Sequence, residues 1–119
     1  MRTITKYIDS IRGNIEFRVG QNAQENFDLI DDSSPDDLWF HIDKCASCHV
    51  VAIMPKGTEG VKDKKQLRHI ATQGAVICKQ HSKYKSESNV SVVYTQIQHV
   101  IKTPMVGMVN ISRSKAISL

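Results

Sequence analysis

The residues best suited to chemistry are concentrated between positions 36 and 53 of the 119-residue chain. That stretch holds the only tryptophan, two of the five histidines and two of the three cysteines. Asp37, Trp39 and His41 alternate with apolar residues there, so in an extended strand they project to one side. An aromatic ring between hydrogen-bonding groups is suited to stacking a nucleobase and bonding its edge. The other interpretation packs Trp39 under a helix and pairs Asp37 with His41 in the interior, and the spacing alone leaves both open.

Cysteine and histidine form a second pattern. Cys45, Cys48 and His49 make a C-x-x-C-H sequence, which is typical of covalent haem attachment. Haem is not expected, because the motif lies between two strand patterns and no secretion signal is present. A thiol redox site is not expected either, because no strand leads from the motif into a helix N-terminus. Cys45 and Cys48 with Cys78 and His81 would supply a Cys3His zinc set, but 29 residues separate the two pairs, so incidental cysteines in a turn and a helix core are the favoured interpretation.

Hydrolytic chemistry has little support in the sequence. It would require either a triad of Asp37, His41 and a serine such as Ser47, or a site built from Asp37, His41 and His49. No nucleophile-elbow pattern is present. The chain also lacks the G-x-G-x-x-G and P-loop patterns of nucleotide-binding loops. We therefore expect a non-catalytic protein that needs no metal and no other cofactor.

Charge is distributed unevenly along the chain. Residues 1–43 carry four Lys or Arg and nine Asp or Glu, whereas residues 44–119 carry twelve and three. A positive field attracts polyanions because neutralised phosphates release their counterions. The alternative is a set of solvated lysines on an ordinary surface. The candidates for phosphate contact are basic side chains of the second part: Lys62, Lys64, Lys65, Arg68, Lys83, Lys85 and Lys102.

Length and composition predict a single soluble domain over residues 1–119. No apolar run approaches the ~20 residues that span a bilayer. The N-terminal residues lack the apolar region of a signal peptide. We therefore expect a cytoplasmic protein with reduced thiols and no membrane partner.

Hydrophobic periodicity predicts an α+β fold, in which a largely antiparallel sheet carries one long and one short helix. An apolar stripe at helical spacing predicts the long helix over residues 64–82, with Asp63 and Gln66 as a capping box. The short helix is predicted over residues 22–30. Strands are predicted over 3–8, 15–19, 38–42, 49–53 and 90–95, with shorter candidates at 99–102, 107–111 and 116–119. Residues 44–48 are predicted to form a hairpin connection, and residues 55–60 a flexible loop.

The order of several short runs resembles the NFACT-R family. These runs are FRVGQNAQENFDLI at 17–30, DDLWFHIDK at 36–44, SCHVV at 47–51, VSVVYT at 90–95, VIKT at 100–103 and VGMV at 106–109. The resemblance covers roughly residues 15–111 and is closest to the standalone branch whose members carry a coiled coil. It implies an α+β nucleic-acid-binding module without catalytic activity, associated with tRNA or ribosomal RNA and with ribosome-associated quality control. A standalone relative that recognises DNA makes DNA and the ribosome further candidate partners.

The resemblance also implies a set of site residues. The family motif falls on Gly20, Asn22, Asn26, Asp37, Trp39, His41, Ser47, His49, Tyr94, Thr95 and Lys102, and Lys83 is a candidate for the same surface. Two departures stand out. Gln21 occupies a position where many members have Arg, which removes one phosphate contact, and Cys45 and Cys48 replace a turn that is commonly rich in Gly or Ser.

These observations predict a non-catalytic RNA-binding domain. Trp39 and His41 are expected to supply the base-facing surface, and lysines the affinity for phosphate. The alternative, of a different class, is a zinc-stabilised adaptor for protein partners that uses Cys45, Cys48, Cys78 and His81.

Overall fold

The structure, a computed structural model, describes residues 1–45, 47–55 and 63–119. Its strands are β1 (Arg2–Ile8), β2 (Gly13–Gly20), β3 (Leu38–Ile42), β4 (His49–Ile53), β5 (Ser91–Gln96), β6 (Val100–Lys102), β7 (Val109–Ile111) and β8 (Lys115–Ser118). Its α-helices are α1 (Ala23–Asp31) and α2 (Lys64–Gln80), and short 3₁₀ helices lie at Asp9–Ile11 and Ile97–His99. Six strands form an antiparallel sheet in the order β1-β2-β4-β3-β5-β8, while β6 pairs with β7 as a separate hairpin. The predicted α+β class is confirmed.

Helix α2 covers one face of this sheet. Its apolar stripe, which includes Ile70 and Ile77, is buried in one cluster with Leu38, Phe40 and Ile42 of β3. Period two on the strand and period 3.6 on the helix therefore place their apolar residues against each other. This contact forms the larger of the two cores.

Gly74 allows α2 to approach β3 closely. A Cβ atom at this position would lie within about 2.2 Å of the Phe40 ring, and Phe40 is fully buried. Glycine weakens a helix interior, but here it leaves the space that the aromatic ring fills.

The opposite face of the sheet is also covered, by α1 and the β6–β7 hairpin. Trp39 and Val51 point to this face and are buried with Leu29 of α1, Ile97 and Val100. Both faces of β3 are therefore interior surfaces. Trp39 does not pack under the long helix, as the sequence allowed, but on the other side of the sheet from it.

The predicted elements match the observed ones within a few residues. The helices begin at residues 23 and 64. The predicted hairpin connection over 44–48 lies between β3 and β4, and its residue 46 is outside the described residues. Asp63 accepts the backbone N–H groups of Lys65 and Gln66 at 2.7 and 3.2 Å, but the Gln66 side chain donates to the Ser10 carbonyl and does not complete a capping box. Of the predicted loop over 55–60, residues 56–60 lie outside the described residues.

Among the described residues, no helix is both long and apolar enough to cross a membrane.

Candidate functional site

A cleft of about 800 Å³ opens where β2 and β3 end and β4 begins. We call it the ring cleft, because Trp39, His41 and His49 lie at its base. The first turn of α1 lines it with Asn22 and Asn26, the β3–β4 connection with Lys44, Cys45, Ser47 and Cys48, and the β6–β7 hairpin with Val106, Gly107, Met108, Val109 and Ile111. Together with His81 at the end of α2, these separate parts of the chain form one concave surface.

The three aromatic rings pack on one another. The Trp39 and His41 rings are parallel, with centroids 5.5 Å apart, and the edge of His49 meets both at 5.1 Å. Trp39 is 1 % exposed and His49 is 2 % exposed, whereas His41 is partly exposed. Trp39 therefore has no face free for a base, and the expected stacking surface belongs to His41.

A hydrogen bond defines the tautomer of His49. The Trp39 indole N–H donates to His49 Nδ1 at 3.2 Å, so a neutral His49 carries its proton on Nε2. Burial, with a smaller contribution from the charge of His41, lowers the pKa of His49 to about 3. His49 is consequently an uncharged donor at neutral pH.

His41 also remains mostly neutral near pH 7. Burial lowers the pKa of His41, although its hydrogen bond with the Ile42 backbone and the charge of Asp43 act in the opposite direction. The base of the ring cleft is therefore a neutral aromatic surface, and cations must come from its rim.

Asn26 and Asn22 connect α1 to the cleft. Asn26 Oδ1 accepts the backbone N–H of His49 at 3.1 Å, which ties the helix to the start of β4. The Asn26 side chain fits beside Gly20 only because glycine has no Cβ, since a Cβ at position 20 would lie about 2.3 Å from Asn26 Oδ1. Asn22 Oδ1 accepts the Glu25 N–H at 2.9 Å and caps the helix.

Ser47 organises the β3–β4 connection. Its hydroxyl accepts the Ile42 N–H and donates to the Cys48 carbonyl, each at 3.1 Å. Lys44 adopts a left-handed backbone conformation (φ 59°) in the same connection and is exposed at the cleft. The turn thus places one cation at the rim.

Asp37 lies outside the ring cleft, before β3 begins. It is 1 % exposed, and its carboxylate accepts the backbone N–H groups of Ser34 at 2.8 Å and Met54 at 2.9 Å. It joins the loop before β3 to the end of β4. The expectation that Asp37 shares a ligand-facing surface with Trp39 and His41 is not met in this structure.

Four further candidate residues also lie away from the cleft. Tyr94 is buried on the α2 face with its ring 5.9 Å from that of Phe40, and Thr95 is buried beside it on β5. Lys102 forms an ion pair with Asp31, and Lys83 lies over the Tyr84 ring. The structure therefore brings together Asn22, Asn26, Trp39, His41, Ser47 and His49, but not Asp37, Lys83, Tyr94, Thr95 and Lys102.

The basic residues at the start of α2 lie at the far end of the sheet. Gln66 bonds to Ser10, next to β1's end, whereas Cys78 in the last turn contacts Cys48 at the cleft. Lys64, Lys65 and Arg68 are thus one helix length from the ring cleft, and Lys62 lies outside the described residues.

The four candidate zinc ligands do not form a metal site. Cys45, Cys48 and His81 line the ring cleft, but Cys78 is fully buried in the α2 core. The Sγ atoms of Cys48 and Cys78 each contact the other residue's carbonyl, at 3.8 and 3.9 Å. Over residues 1–45, 47–55 and 63–119, no three His, Cys, Asp or Glu side chains are arranged to hold a metal ion.

Sequence reasoning missed the contribution of the β6–β7 hairpin. Val106 and Met108 are 48 % and 54 % exposed at the cleft, although both are apolar. The VGMV run at 106–109 was part of the family resemblance, but no site role was assigned to it. Only the folded arrangement shows that this run faces the histidines.

Residues 8–112 match the family model of the NFACT protein RNA binding domain. The chain belongs to this family. It is 32 % identical over 108 residues to coiled-coil domain-containing protein 25 of Danio rerio and 34 % identical over 104 residues to the Mus musculus protein of that name. Both matches cover 85 % of this chain and 49 % of the relative, so the chain spans about half the length of the curated relatives it matches. The resemblance to the standalone, coiled-coil-bearing branch is confirmed.

A solved structure shares the fold. The C-terminal part of the fibronectin/fibrinogen-binding protein from Streptococcus suis superposes with a TM-score of 0.72 at 21 % identity, covering 88 % of this chain and 41 % of that one. This likeness supports the α+β architecture alone.

Proposed function

We propose that this chain is a non-catalytic RNA-binding module and that the ring cleft is its RNA-contacting surface. One observation carries the proposal. Six residues of the family motif, drawn from the segments 22–26 and 39–49, converge on a single cleft. Membership of a family described as RNA-binding supplies the ligand class.

The chemistry of the cleft is suited to single-stranded RNA. His41 offers a partly exposed ring, the hairpin offers apolar side chains, and Lys44 offers a cation at the rim. Unpaired bases are recognised by stacking on rings and by bonds to their edges, whereas lysines contact phosphates. The cleft combines aromatic, amide and apolar side chains, which suit the binding of a nucleobase, and a binding role is therefore proposed.

The proposed biological ligand is tRNA or ribosome-bound RNA, in translation or ribosome-associated quality control in the cytoplasm. The support for this narrower proposal is the family resemblance. Crosslinking in native cell extract, followed by sequencing of the bound RNA, tests it. Enrichment of tRNA or ribosomal RNA is the expected result, and recovery of no RNA above background would contradict the proposal.

The cleft itself is tested with purified protein. Fluorescence anisotropy should show binding of an unstructured RNA, with DNA of the same sequence as the comparison. We expect His41→Ala to weaken RNA binding by about tenfold, because stacking on one base is worth ~1–3 kcal/mol. His69→Ala is the matched control, since His69 is an exposed histidine on α2 that contacts Ser10 away from the cleft. Equal losses in the two variants would remove the ring cleft from the proposal.

A further inference from the structure

His49 presents one polar side-chain atom, Nε2, to the ring cleft. Nδ1 accepts from Trp39, so Nε2 carries the proton. Among the described residues, every buried side-chain nitrogen or oxygen has a hydrogen-bond partner. The Nε2 atom of His49 donates to none of these residues, so it is not one of the buried atoms. This N–H therefore reaches the solvent of the cleft that His49 lines, although the residue is only 2 % exposed.

Asn26 adds a second donor beside it. Its Oδ1 is occupied by the His49 backbone N–H, so its amide nitrogen Nδ2 is the atom left for other contacts. Asn26 lines the cleft and is 7 % exposed. Two neighbouring residues thus offer N–H donors at the base of the cleft, held in place by bonds that consume their acceptors.

The walls above these donors match the flat face of a base. His41 supplies a ring parallel to the buried Trp39, and Val106 and Met108 supply apolar side chains from the hairpin. A nucleobase has apolar faces and a polar edge. Its faces therefore match the apolar walls of the cleft, and its edge matches the hydrogen-bond donors at the bottom.

We infer that the ring cleft takes one unpaired guanine, with its face against His41, its N7 accepting from His49 Nε2–H and its O6 accepting from Asn26 Nδ2. The inference rests on the proposed function and names the ligand group of the same site. Guanine presents two adjacent acceptors on this edge, whereas adenine replaces one of them with an amino donor. The base must be unpaired, because the major groove of an RNA duplex is too deep and narrow to admit side chains.

The test uses the wild-type chain and four short RNA probes. Three are uridine-rich single strands that carry one central guanine, 7-deazaguanine or adenine, and the fourth places the guanine in a hairpin stem. We expect 7-deazaguanine to bind about fivefold more weakly than guanine, since it lacks one acceptor. Adenine should lose about tenfold, and the paired guanine about a hundredfold, because unpairing costs a few kcal/mol.

A variant of His49 tests whether guanine N7 accepts its hydrogen bond from His49 Nε2–H. His49→Asn retains an acceptor near the position of Nδ1 for the Trp39 indole but removes the donor at Nε2. In this variant guanine and 7-deazaguanine should bind equally, whereas His69→Ala should keep the fivefold difference. Should His49→Asn not fold, the four probes with the wild-type chain still decide the inference.

The outcomes separate the two proposals. Tight RNA binding that is equal for all four probes overturns the inference and leaves the proposed function standing. A fivefold difference that persists in folded His49→Asn also overturns the inference, because the acceptor then bonds elsewhere. Absence of binding to every RNA overturns the proposed function, and the inference with it.

Discussion

At the scale of single residues, the hydrogen bond between Trp39 and His49 determines what each ring contributes. It satisfies the indole N–H in the interior and leaves the proton of a neutral His49 on Nε2. The alternation of Asp37, Trp39 and His41 with apolar residues indicates that they share one face of a strand. Spacing does not show which of the two rings is buried by other parts of the protein. Burial assigns Trp39 to the core and leaves His41 as the accessible ring.

Trp39→Ala should unfold or strongly destabilise the domain. Replacing a fully buried aromatic side chain by alanine costs ~3–5 kcal/mol, because apolar contacts are lost and a cavity remains. His41→Ala should cost less than about 1 kcal/mol, because His41 is partly exposed. Urea denaturation of the two variants measures both values, and a loss below about 1 kcal/mol for Trp39→Ala would contradict its place in the core.

Stability should fall as the pH drops below about 6.5. His49 has a pKa of about 3 in the fold, whereas its ordinary value is ~6.5. The unfolded chain therefore binds more protons between these values, and acid favours unfolding. From pH 6.5 to 5 the loss from His49 alone is about 1.6 kcal/mol, because the slope reaches ~1.36 kcal/mol for each pH unit only where the unfolded chain is fully protonated at this histidine.

The control for this pH dependence is the His49→Asn variant, because asparagine does not titrate between pH 3 and pH 6.5. Urea midpoints of the wild type should fall more steeply between pH 7 and pH 5 than those of the variant. His41, whose pKa is also lowered by burial, contributes in the same direction to both proteins. Parallel pH profiles would show that His49 is not buried as a neutral ring.

At the scale of elements, β3 is the strand on which both halves of the structure depend. Leu38, Phe40 and Ile42 pack against α2, while Trp39 packs against α1 and the region of the β6–β7 hairpin. The sequence predicts the apolar face correctly, since period two is enough for it. It does not predict that the second face is covered, because that requires distant segments to fold over it.

Gly74→Ala should destabilise the domain by up to about 2 kcal/mol. The new Cβ would overlap the buried Phe40 ring. Overpacking of a core costs ~1–3 kcal/mol, and the helix propensity that alanine gains offsets ~1 kcal/mol of this cost. Gln73→Ala, on the same helix but not fully buried, is the control and should be nearly neutral. A stabilised Gly74→Ala variant would show that α2 can move away from β3 at little cost.

At the scale of the whole molecule, the ring cleft exists only because segments that are distant in the sequence meet. Helix and strand boundaries are local properties and were predictable. The family motif points to residues 22, 26, 41 and 49, all of which line the cleft. The position of the cleft was not, because β4 lies between β2 and β3 in the sheet and the hairpin closes over that end. The charge asymmetry of the sequence was equally uninformative about location, since Lys64, Lys65 and Arg68 fold away from the cleft.

RNA binding should weaken as salt rises, with a slope that depends on the cations near the cleft. For single strands the slope of log K against log salt is about −0.7 for each phosphate contacted. Lys44→Ala removes the lysine at the rim and should make this slope shallower by about 0.7. Lys65→Ala should leave it unchanged, and the opposite pattern would place the RNA on α2.

The most direct test of the central claim is an NMR titration of the ¹⁵N-labelled chain with an unstructured RNA. We expect the largest shifts on the Nε2–H of His49 and on amides of the ring cleft, at His41, Lys44, Ser47, His49 and Met108. Amides in the first turns of α2, at Lys64, Lys65 and Arg68, should move little. Shifts confined to α2, with the ring cleft unchanged, would contradict the account.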